Sequence, residues 1–364
     1  MNTISSATSS LLSPIKIGAW DLRNRMIMAP LTRCRSSAGR VPNALMVEYY
    51  AQRASAGLIL TEATSIDPMG VGYPDTPGIW SDEQVTGWQA ITEAVHAEGG
   101  LIIMQLWHVG RISDSLYLQG AQPVAPSAIA AKGHISLVRP IKDFEVPRAL
   151  EIDEIPAIVE AYRKGAENAK RAGFDGVELH GANGYLLDQF LQDSTNQRSD
   201  EYGGSIENRA RLMLEAVDAA ISVWGPDRVG LHIAPRADAH DMGDANLKAT
   251  FGYVADAMRD RGIAFILARE SQDGPRLGPE LKARFGGTYI VNQQLDRATA
   301  EELIEKGEAD ACAWGQQFIA NPDLVHRFAH GLPLNKPNSD TFYGGAAEGY
   351  TDYPFAGSMK QVLS

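Results

Sequence analysis

Three side chains that can polarise and protonate a substrate lie close together, at the end of a predicted buried strand. They are His180, Asn183 and Tyr185, in the run His-Gly-Ala-Asn-Gly-Tyr. An imidazole and a carboxamide can hydrogen-bond one substrate oxygen, as the donors of an oxyanion hole do, and a phenol can supply a proton. The run therefore predicts polarisation of a conjugated carbonyl. The alternative is that these groups only cap and hydrate the start of the following helix.

Short apolar segments that alternate with amphipathic ones must position these side chains. We predict strands at residues 25–28, 58–61, 101–105, 176–180, 229–233, 265–268, 289–291 and 311–314. Such alternation is typical of parallel βαβ units, and several predicted helices end in Gly before the next strand. The sequence therefore predicts one α/β domain over residues 1–364, a parallel eight-stranded (β/α)8 TIM barrel with its site at the C-terminal ends of the strands.

Two segments interrupt the alternation. Residues 110–148 contain scattered Pro and Gly without a helical period, which predicts a long insertion after the third strand. Residues 15–22 place Gly18 and Ala19 between apolar residues, so we expect an N-terminal hairpin that closes the barrel floor. Between 155 and 172, in contrast, apolar residues recur at helical spacing and predict a helix on the barrel surface.

The composition argues against several other classes of protein. The chain has 364 residues, 44% of them hydrophobic, and a formal net charge of -12. Because nucleic acids and anionic membranes bind concentrated Lys and Arg, we expect neither as a partner. Two distant cysteines, Cys34 and Cys312, predict no disulfide framework and no metal site, and they indicate a reducing compartment. Residues 1–10 lack the pattern of a secretory signal and no segment is long enough for a membrane span, so we expect a cytoplasmic protein.

Several ordered motifs resemble the old yellow enzyme family. They include Met28-Ala-Pro-Leu-Thr-Arg33, Gln105-Leu-Trp-His-Val-Gly-Arg111, the run from His180 to Leu191, Phe318-Ile-Ala-Asn-Pro-Asp-Leu324 and Gly349-Tyr-Thr-Asp-Tyr-Pro354. The likeness extends from about residue 12 to residue 354. It implies an ene-reductase that binds FMN non-covalently at the barrel mouth, takes a hydride from NADPH or NADH, and passes it from flavin N5 to an electron-poor alkene or nitro compound.

The resemblance also implies roles for individual residues. His180 and Asn183 would hold the acceptor's carbonyl or nitro oxygen, Tyr185 would protonate its α-carbon, and Thr32 would donate to the O4 edge of the flavin. The residues implied to contact FMN are Pro30, Leu31, Thr32, Ala63, Gln105, His180, His232, Asn292, Gln293, Gln294, Gly315 and Gln316. Those implied to line the substrate cavity are Tyr73, Trp107, His180, Asn183 and Tyr343.

At two positions the chain departs from the family. Most relatives place an Arg from the fifth strand near flavin N1 and C2=O, where this chain has His232, a shorter side chain that we expect to be only partly charged near neutrality. Arg236 is a candidate to fill that gap. Relatives usually hold the phosphate with Arg or Lys where this chain has the uncharged Gln316. The missing charge predicts weakened FMN binding. We do not expect binding to be lost, because backbone amides and a helix dipole also bind phosphate.

Two other functions stay open. The same site can reduce nitrate esters or nitroaromatics, because both place an oxygen against His180 and Asn183. A barrel that has lost its flavin would instead be an isomerase or a ligand-binding protein. No Gly-x-Gly-x-x-Gly fingerprint follows a predicted strand, so the sequence gives no preference between NADH and NADPH. It gives no oligomeric state either.

Overall fold

Short strands account for most of the central architecture of this chain, whose computed structural model describes residues 9–236 and 239–357. In chain order the strands are β1 (Ile15–Ile17), β2 (Trp20–Leu22), β3 (Met26–Met28), β4 (Leu58–Leu60), β5 (Thr64–Ser65), β6 (Ile102–Trp107), β7 (Val124–Ala125), β8 (Arg148–Ala149), β9 (Val177–Gly181), β10 (Val229–Ile233), β11 (Phe265–Arg269), β12 (Thr288–Asn292) and β13 (Ala311–Trp314). Strands β3, β4, β6 and β9 to β13 pair in parallel in that order, and β13 pairs with β3. The sheet therefore closes into the predicted (β/α)8 barrel.

Helices cover the outside of this barrel. They are α1 (Ala44–Ala51), α2 (Asp82–Ala97), α3 (Ile155–Arg171), α4 (Leu186–Leu191), α5 (Ile206–Trp224), α6 (Leu247–Arg261), α7 (Gly278–Phe285), α8 (Arg297–Glu305), α9 (Gln316–Ala320) and α10 (Leu324–His330). Helix α3 confirms the predicted periodicity, since it buries Tyr162, Gly165 and Ala169 on one face. Its last turn carries Lys170 and Arg171, whose charges complement the helix dipole.

The predicted N-terminal hairpin is confirmed as the floor of the barrel. Strands β1 and β2 pair antiparallel, and Gly18 turns the chain with a φ of +53°. A side chain at Gly18 would place its Cβ 2.1 Å from the carbonyl oxygen of Asp227, so the close approach requires glycine. Trp20 then packs against Phe265 in the barrel interior, with ring centroids 6.4 Å apart.

The predicted insertion after the third barrel strand is also confirmed. Residues 110–148 consist mainly of turns and bends, and the short strand β7 pairs in parallel with β8 at the end of the insertion. Leu116 and Ile141 in this segment are exposed. The insertion therefore adds a layer of irregular chain beside the barrel mouth.

The barrel interior changes character from floor to mouth. Near the floor it is filled by inward-facing apolar side chains such as Ile27, Leu60 and Ile290. Towards the C-terminal ends of the strands the inward positions become polar, with Gln105 on β6 and Glu178 on β9, both buried. Polar groups of this kind are costly to bury unless they have partners, so the mouth is the part of the interior built for chemistry.

Residues 1–8 of the polar N-terminal stretch lie outside the described residues. Cys34 and Cys312 are both buried and form no disulfide. No helix in the described part of the chain has the length and apolarity to cross a membrane.

Candidate active site

One cavity of about 660 Å³ lies at the C-terminal end of the barrel. Every residue that the sequence analysis assigned to FMN or substrate lines this cavity. Further lining residues, which the sequence analysis did not single out, are Ala29, Arg269, Leu295, Ala313, Trp314 and Gln317. Within residues 9–236 and 239–357, no cluster of His, Cys, Asp and Glu side chains could hold a metal ion.

Two stacked imidazoles form the floor of the cavity. His180 on β9 and His232 on β10 are partners in the strand register, with ring centroids 5.0 Å apart and planes at 4°. Burial lowers the pKa of His180 well below 6.5, and burial together with the charge of Arg269 lowers the pKa of His232 to about 3. Both rings are therefore neutral at physiological pH, and the expectation that His232 is partly charged near neutrality is wrong.

A hydrogen-bond network below the rings fixes the tautomer of His232. Gln105 Nε2 donates to Glu178 Oε2 at 2.7 Å and contacts His232 Nδ1 at 3.2 Å. Because an amide nitrogen only donates, Nδ1 is the acceptor and the proton of the neutral ring is on Nε2. His232 Nε2 and His180 Nδ1 are buried and have no hydrogen-bond partner among the described residues. Unpaired buried polar atoms of this kind indicate a missing ligand.

A pair of phenols stands beside the imidazoles. The hydroxyl oxygens of Tyr73 and Tyr185 are 2.9 Å apart. The Trp107 ring supports both, stacked on Tyr73 with centroids at 5.5 Å and edge-on to Tyr185 at 5.0 Å. Burial raises the pKa of Tyr73 to about 12 and that of Tyr185 well above 10. Both phenols therefore keep their protons at neutral pH.

The turn that carries Asn183 and Tyr185 is fixed by buried groups of α4. Asn183 has a φ of +59° and Gly184 a φ of +77°, and a Cβ at Gly184 would lie 2.8 Å from Met242 Cγ. Asp188 accepts from the Gly184 amide at 2.9 Å, and Gln189 Nε2 donates to the Gly184 carbonyl at 2.7 Å. The Tyr185 side chain makes no capping hydrogen bond. The alternative that these polar groups merely cap the helix is therefore wrong for Tyr185.

Arg269 is the site residue that the sequence analysis missed. It ends β11, and its guanidinium donates through Nη1 to Asn183 Oδ1 at 2.8 Å and through Nε to Gln293 Oε1 at 3.0 Å. The sixth strand was predicted to end at residue 268, one residue too early. A cation directly at the end of a buried apolar strand of a barrel was the available signal.

Arg236, the candidate to fill the gap at His232, has other partners. Its Nε lies 2.9 Å from Glu270 Oε1, and its Nη2 donates to the carbonyls of Ser271 and Asp273. It does not line the cavity. The strand has already ended before Arg236, so its alternation no longer directs this side chain inward.

The opposite end of the cavity is built from neutral amides. Gln293 and Gln294 follow β12 with φ values of +104° and +54°. Asn292 Nδ2 donates to the Ala313 carbonyl at 2.7 Å, which ties the exits of β12 and β13 together. Gln316 begins α9 and is exposed at the rim. This end offers hydrogen-bond donors, but its side chains carry no charge.

The C-terminal segment brings Tyr343 to the rim of the cavity. Two buried guanidiniums hold the backbone of this segment. Arg33 Nη2 donates to the Gly349 carbonyl at 2.8 Å, and Arg35 Nη2 donates to the Thr341 carbonyl at 2.9 Å. Tyr343 itself is half-exposed. Its position therefore depends on arginines from the loop after β3, the same loop that supplies Thr32.

Comparisons with known proteins agree with this arrangement. The NADH:flavin oxidoreductase / NADH oxidase family matches residues 10–335. A probable flavin mononucleotide-dependent alkene reductase of Leishmania infantum is 43% identical, over 98% of this chain and 100% of that protein. Morphinone reductase in complex with tetrahydroNAD is 49% identical with a TM-score of 0.92, over 95% of this chain and 98% of the other. An old yellow enzyme homologue from Zymomonas mobilis is 45% identical with a TM-score of 0.93, over 95% and 100%.

Proposed function

The chain belongs to the NADH:flavin oxidoreductase / NADH oxidase family, and on that premise we propose how its cavity performs the reaction. The resemblance to the old yellow enzyme family is confirmed. The protein is an FMN-dependent NAD(P)H oxidoreductase that reduces activated C=C bonds. The proposal concerns which side chains bind FMN, which hold the acceptor and which moves the proton.

The donor set of the cavity supports FMN binding. His232 Nε2 is a buried N–H group without a partner among the described residues, and a ring carbonyl or ring nitrogen would satisfy such a donor. Thr32 lies in the same cavity, and the amides around Gln293 and Gln316 are at its other end, where the phosphate would be held. When bound, FMN accepts a hydride from NADPH or NADH and delivers it to the acceptor.

His180 and Asn183 hold the acceptor's carbonyl or nitro oxygen in this proposal. Asn183 Oδ1 already accepts from Arg269, which orients the carboxamide and leaves Nδ2 to donate to the acceptor. His180 is neutral, so it acts as an N–H donor rather than as a cation. Both donors stabilise the negative charge that develops on the oxygen as the alkene is reduced.

Tyr185 supplies the proton to the α-carbon. Its hydroxyl is buried and keeps its proton until a strong base, the developing carbanion, is next to it. The Tyr73 hydroxyl, at 2.9 Å, can replace the proton that Tyr185 loses. Trp107 keeps both phenols in place and helps to exclude water from them.

The observation that carries this proposal is the grouping, in one cavity, of a protonated phenol pair and two neutral imidazoles, each with a buried ring nitrogen that has no partner in the described part of the chain. The test is to purify the protein, record its visible spectrum, identify the flavin released on boiling, and mix prereduced protein anaerobically with 2-cyclohexenone or a nitroalkene. We expect a yellow protein that releases FMN and is reoxidised by both acceptors. Colourless protein that takes up no FMN, or reduced protein that neither acceptor reoxidises, would contradict the proposal.

Three further proposals accompany it. We propose that residues 1–364 form one domain, because the described elements surround one barrel. We also propose a cytoplasmic location, because the buried thiols Cys34 and Cys312 are unpaired, which is usual in a reducing compartment. The partner is a small electron-poor alkene or nitro compound rather than a nucleic acid or a membrane.

A further inference from the structure

Arg269 carries the only formal charge among the cavity-lining residues that the structure describes. The other lining side chains are apolar, hydroxyl, amide or imidazole groups, and the imidazoles of His180 and His232 are neutral. Arg269 donates to two neutral oxygens, those of Asn183 and Gln293. Within residues 9–236 and 239–357 it has no carboxylate at ion-pair distance, and the adjacent Glu270 is paired with Arg236.

The strand register shows where this charge lies. Leu267 is the partner of His232 in the pairing of β11 with β10, and Arg269 follows on the same inner face, two residues nearer the mouth. Strand β10 lies between β9 and β11, and Asn183 follows β9. The contact from Arg269 to Asn183 therefore carries the guanidinium across the exit of β10, above the neutral His232.

A cation that a bound ligand shields from water is unfavourable unless that ligand supplies negative charge. Two parts of FMN do so: the phosphate, and the N1–C2=O edge of the ring once the flavin is reduced. Arg269 lies between the two ends of the cavity, because it contacts Asn183 on the acceptor side and Gln293 on the phosphate side. Its place above His232, whose partner in the strand register is Leu267, favours the ring. The phosphate would lie at the other end, near Gln316.

We propose that Arg269, on the sixth barrel strand, supplies the cationic contact to the N1–C2=O edge of the bound flavin, a role that the shorter imidazole of His232 on the fifth strand does not fill. The inference rests on the proposed function. A fixed positive charge beside this edge stabilises the reduced, anionic ring more than the oxidised ring, so Arg269 raises the reduction potential of the bound flavin. A single Arg on the fifth strand would supply both a hydrogen bond and a positive charge to this edge. In this chain His232 supplies the hydrogen bond and Arg269 supplies the charge.

The test measures the potential of the holoenzyme by dye-coupled redox titration, for the parent and for R269Q, R269K and the double variant H232R/R269Q. At a fixed reference potential we expect the ratio of oxidised to reduced flavin in R269Q to rise about tenfold, which is about 30 mV for a two-electron couple. The reduction potential of R269K should fall less than that of R269Q, because lysine keeps the positive charge. H232R/R269Q should recover the parent potential, because it returns the charge to the fifth strand.

A matched control removes a cation that does not line the cavity. Arg276 Nη1 donates to Gln272 Oε1 at 3.0 Å, and its Nη2 pairs with Glu308. R276Q should therefore leave the flavin potential unchanged. The affinity for FMN, measured by titration of apoprotein at low and high salt, separates a contact with the ring from a contact with the phosphate.

Several results would overturn the inference. A reduction potential in R269Q equal to that of the parent would do so. Equal decreases in potential in R269K and R269Q would also do so, because the charge would then be irrelevant. An unchanged potential with a large, salt-dependent loss of FMN affinity would place Arg269 at the phosphate. If R269Q fails to fold, R269K still tests the inference, because it keeps the charge and should hold the potential close to that of the parent; a large fall in its potential would contradict the inference. Parent protein that binds no FMN would overturn the proposed function and this inference together, whereas FMN binding with an Arg269-independent potential would overturn this inference alone.

Discussion

The hydroxyl oxygens of Tyr73 and Tyr185 lie 2.9 Å apart, although 112 residues separate them in the sequence. Tyr185 follows β9, whereas Tyr73 lies in the loop between β5 and α2. Trp107, at the end of β6, packs against both rings. The proton donor proposed for catalysis is therefore one member of a hydroxyl pair. Substituting one member or the other should have different effects on the reaction.

Tyr185→Phe should slow reoxidation of reduced enzyme by 2-cyclohexenone about a hundredfold, because a general acid typically contributes that much or more. Reduction of the flavin by NAD(P)H should change little, because that half-reaction needs no proton donor to the acceptor. Tyr73→Phe is the matched control: it removes a hydroxyl from the same pair but leaves the donor, so its effect should be smaller. Stopped-flow traces in which Tyr185→Phe slows both half-reactions equally would assign Tyr185 a structural role.

The double variant H180A/N183A should keep FMN bound but reduce cyclic enones at least about a hundredfold more slowly, because it removes both donors to the acceptor oxygen. The measurement is the anaerobic rate of reoxidation of prereduced enzyme, together with the flavin content of the purified variant. Unchanged enone turnover would refute the assignment. Because Asn183 also accepts from Arg269, the single variant N183A should be compared with R269Q to separate the two effects.

The rate of enone reduction by prereduced enzyme should show no change that arises from titration of His180 or Tyr185 between about pH 6 and 9. Burial lowers the pKa of His180 well below 6.5 and raises that of Tyr185 well above 10, so neither changes its protonation state in this window. A rate that changes around pH 6.5 would mean that His180 titrates in the holoenzyme, contrary to this expectation.

The same buried imidazoles predict how stability depends on pH. The pKa of His232 is lowered to about 3, whereas an unfolded histidine titrates near pH 6.5, so below that pH the unfolded chain binds more protons than the native chain. The contribution of His180 and His232 to the free energy of unfolding is therefore present above about pH 6.5 and is lost as the pH falls below it. Urea unfolding at pH 7.5 and 5.5, for the parent and for His232→Gln, would measure it, and the variant should lose less stability on acidification.

Gln316→Arg should tighten FMN binding about tenfold at low salt, because a guanidinium makes charge-assisted contacts to phosphate that a neutral amide cannot make. Gln316 is exposed at the cavity rim, so the gain should shrink as the salt concentration rises. Equilibrium titration of apoprotein with FMN at two salt concentrations measures both effects. Unchanged affinity would mean that the phosphate is held away from the exit of β13.

The sequence alone determined the architecture and the identity of most residues at the site. The apolar segments, their alternation with helices and the Gly-Ala turn of the hairpin are local patterns, so the eight strands were found with ends at most two residues from those observed. Parallel strands of a closed barrel deliver their exits to one end. The positions of the strands were therefore sufficient to predict that His180, Gln105 and Thr32 lie in one cavity.

The tertiary structure decided protonation states and partners, because both depend on atoms that are distant along the chain. Burial makes His232 neutral, which its residue type does not determine. Arg236 comes after the apolar strand β10 and Arg269 is the last residue of β11, yet Arg236 pairs with Glu270 outside the cavity whereas Arg269 extends across β10 to Asn183. Strand alternation directs Arg269 inward because β11 continues through it, and it no longer constrains Arg236, since β10 has already ended. The position of the cavity's positive charge therefore followed from where two neighbouring strands end.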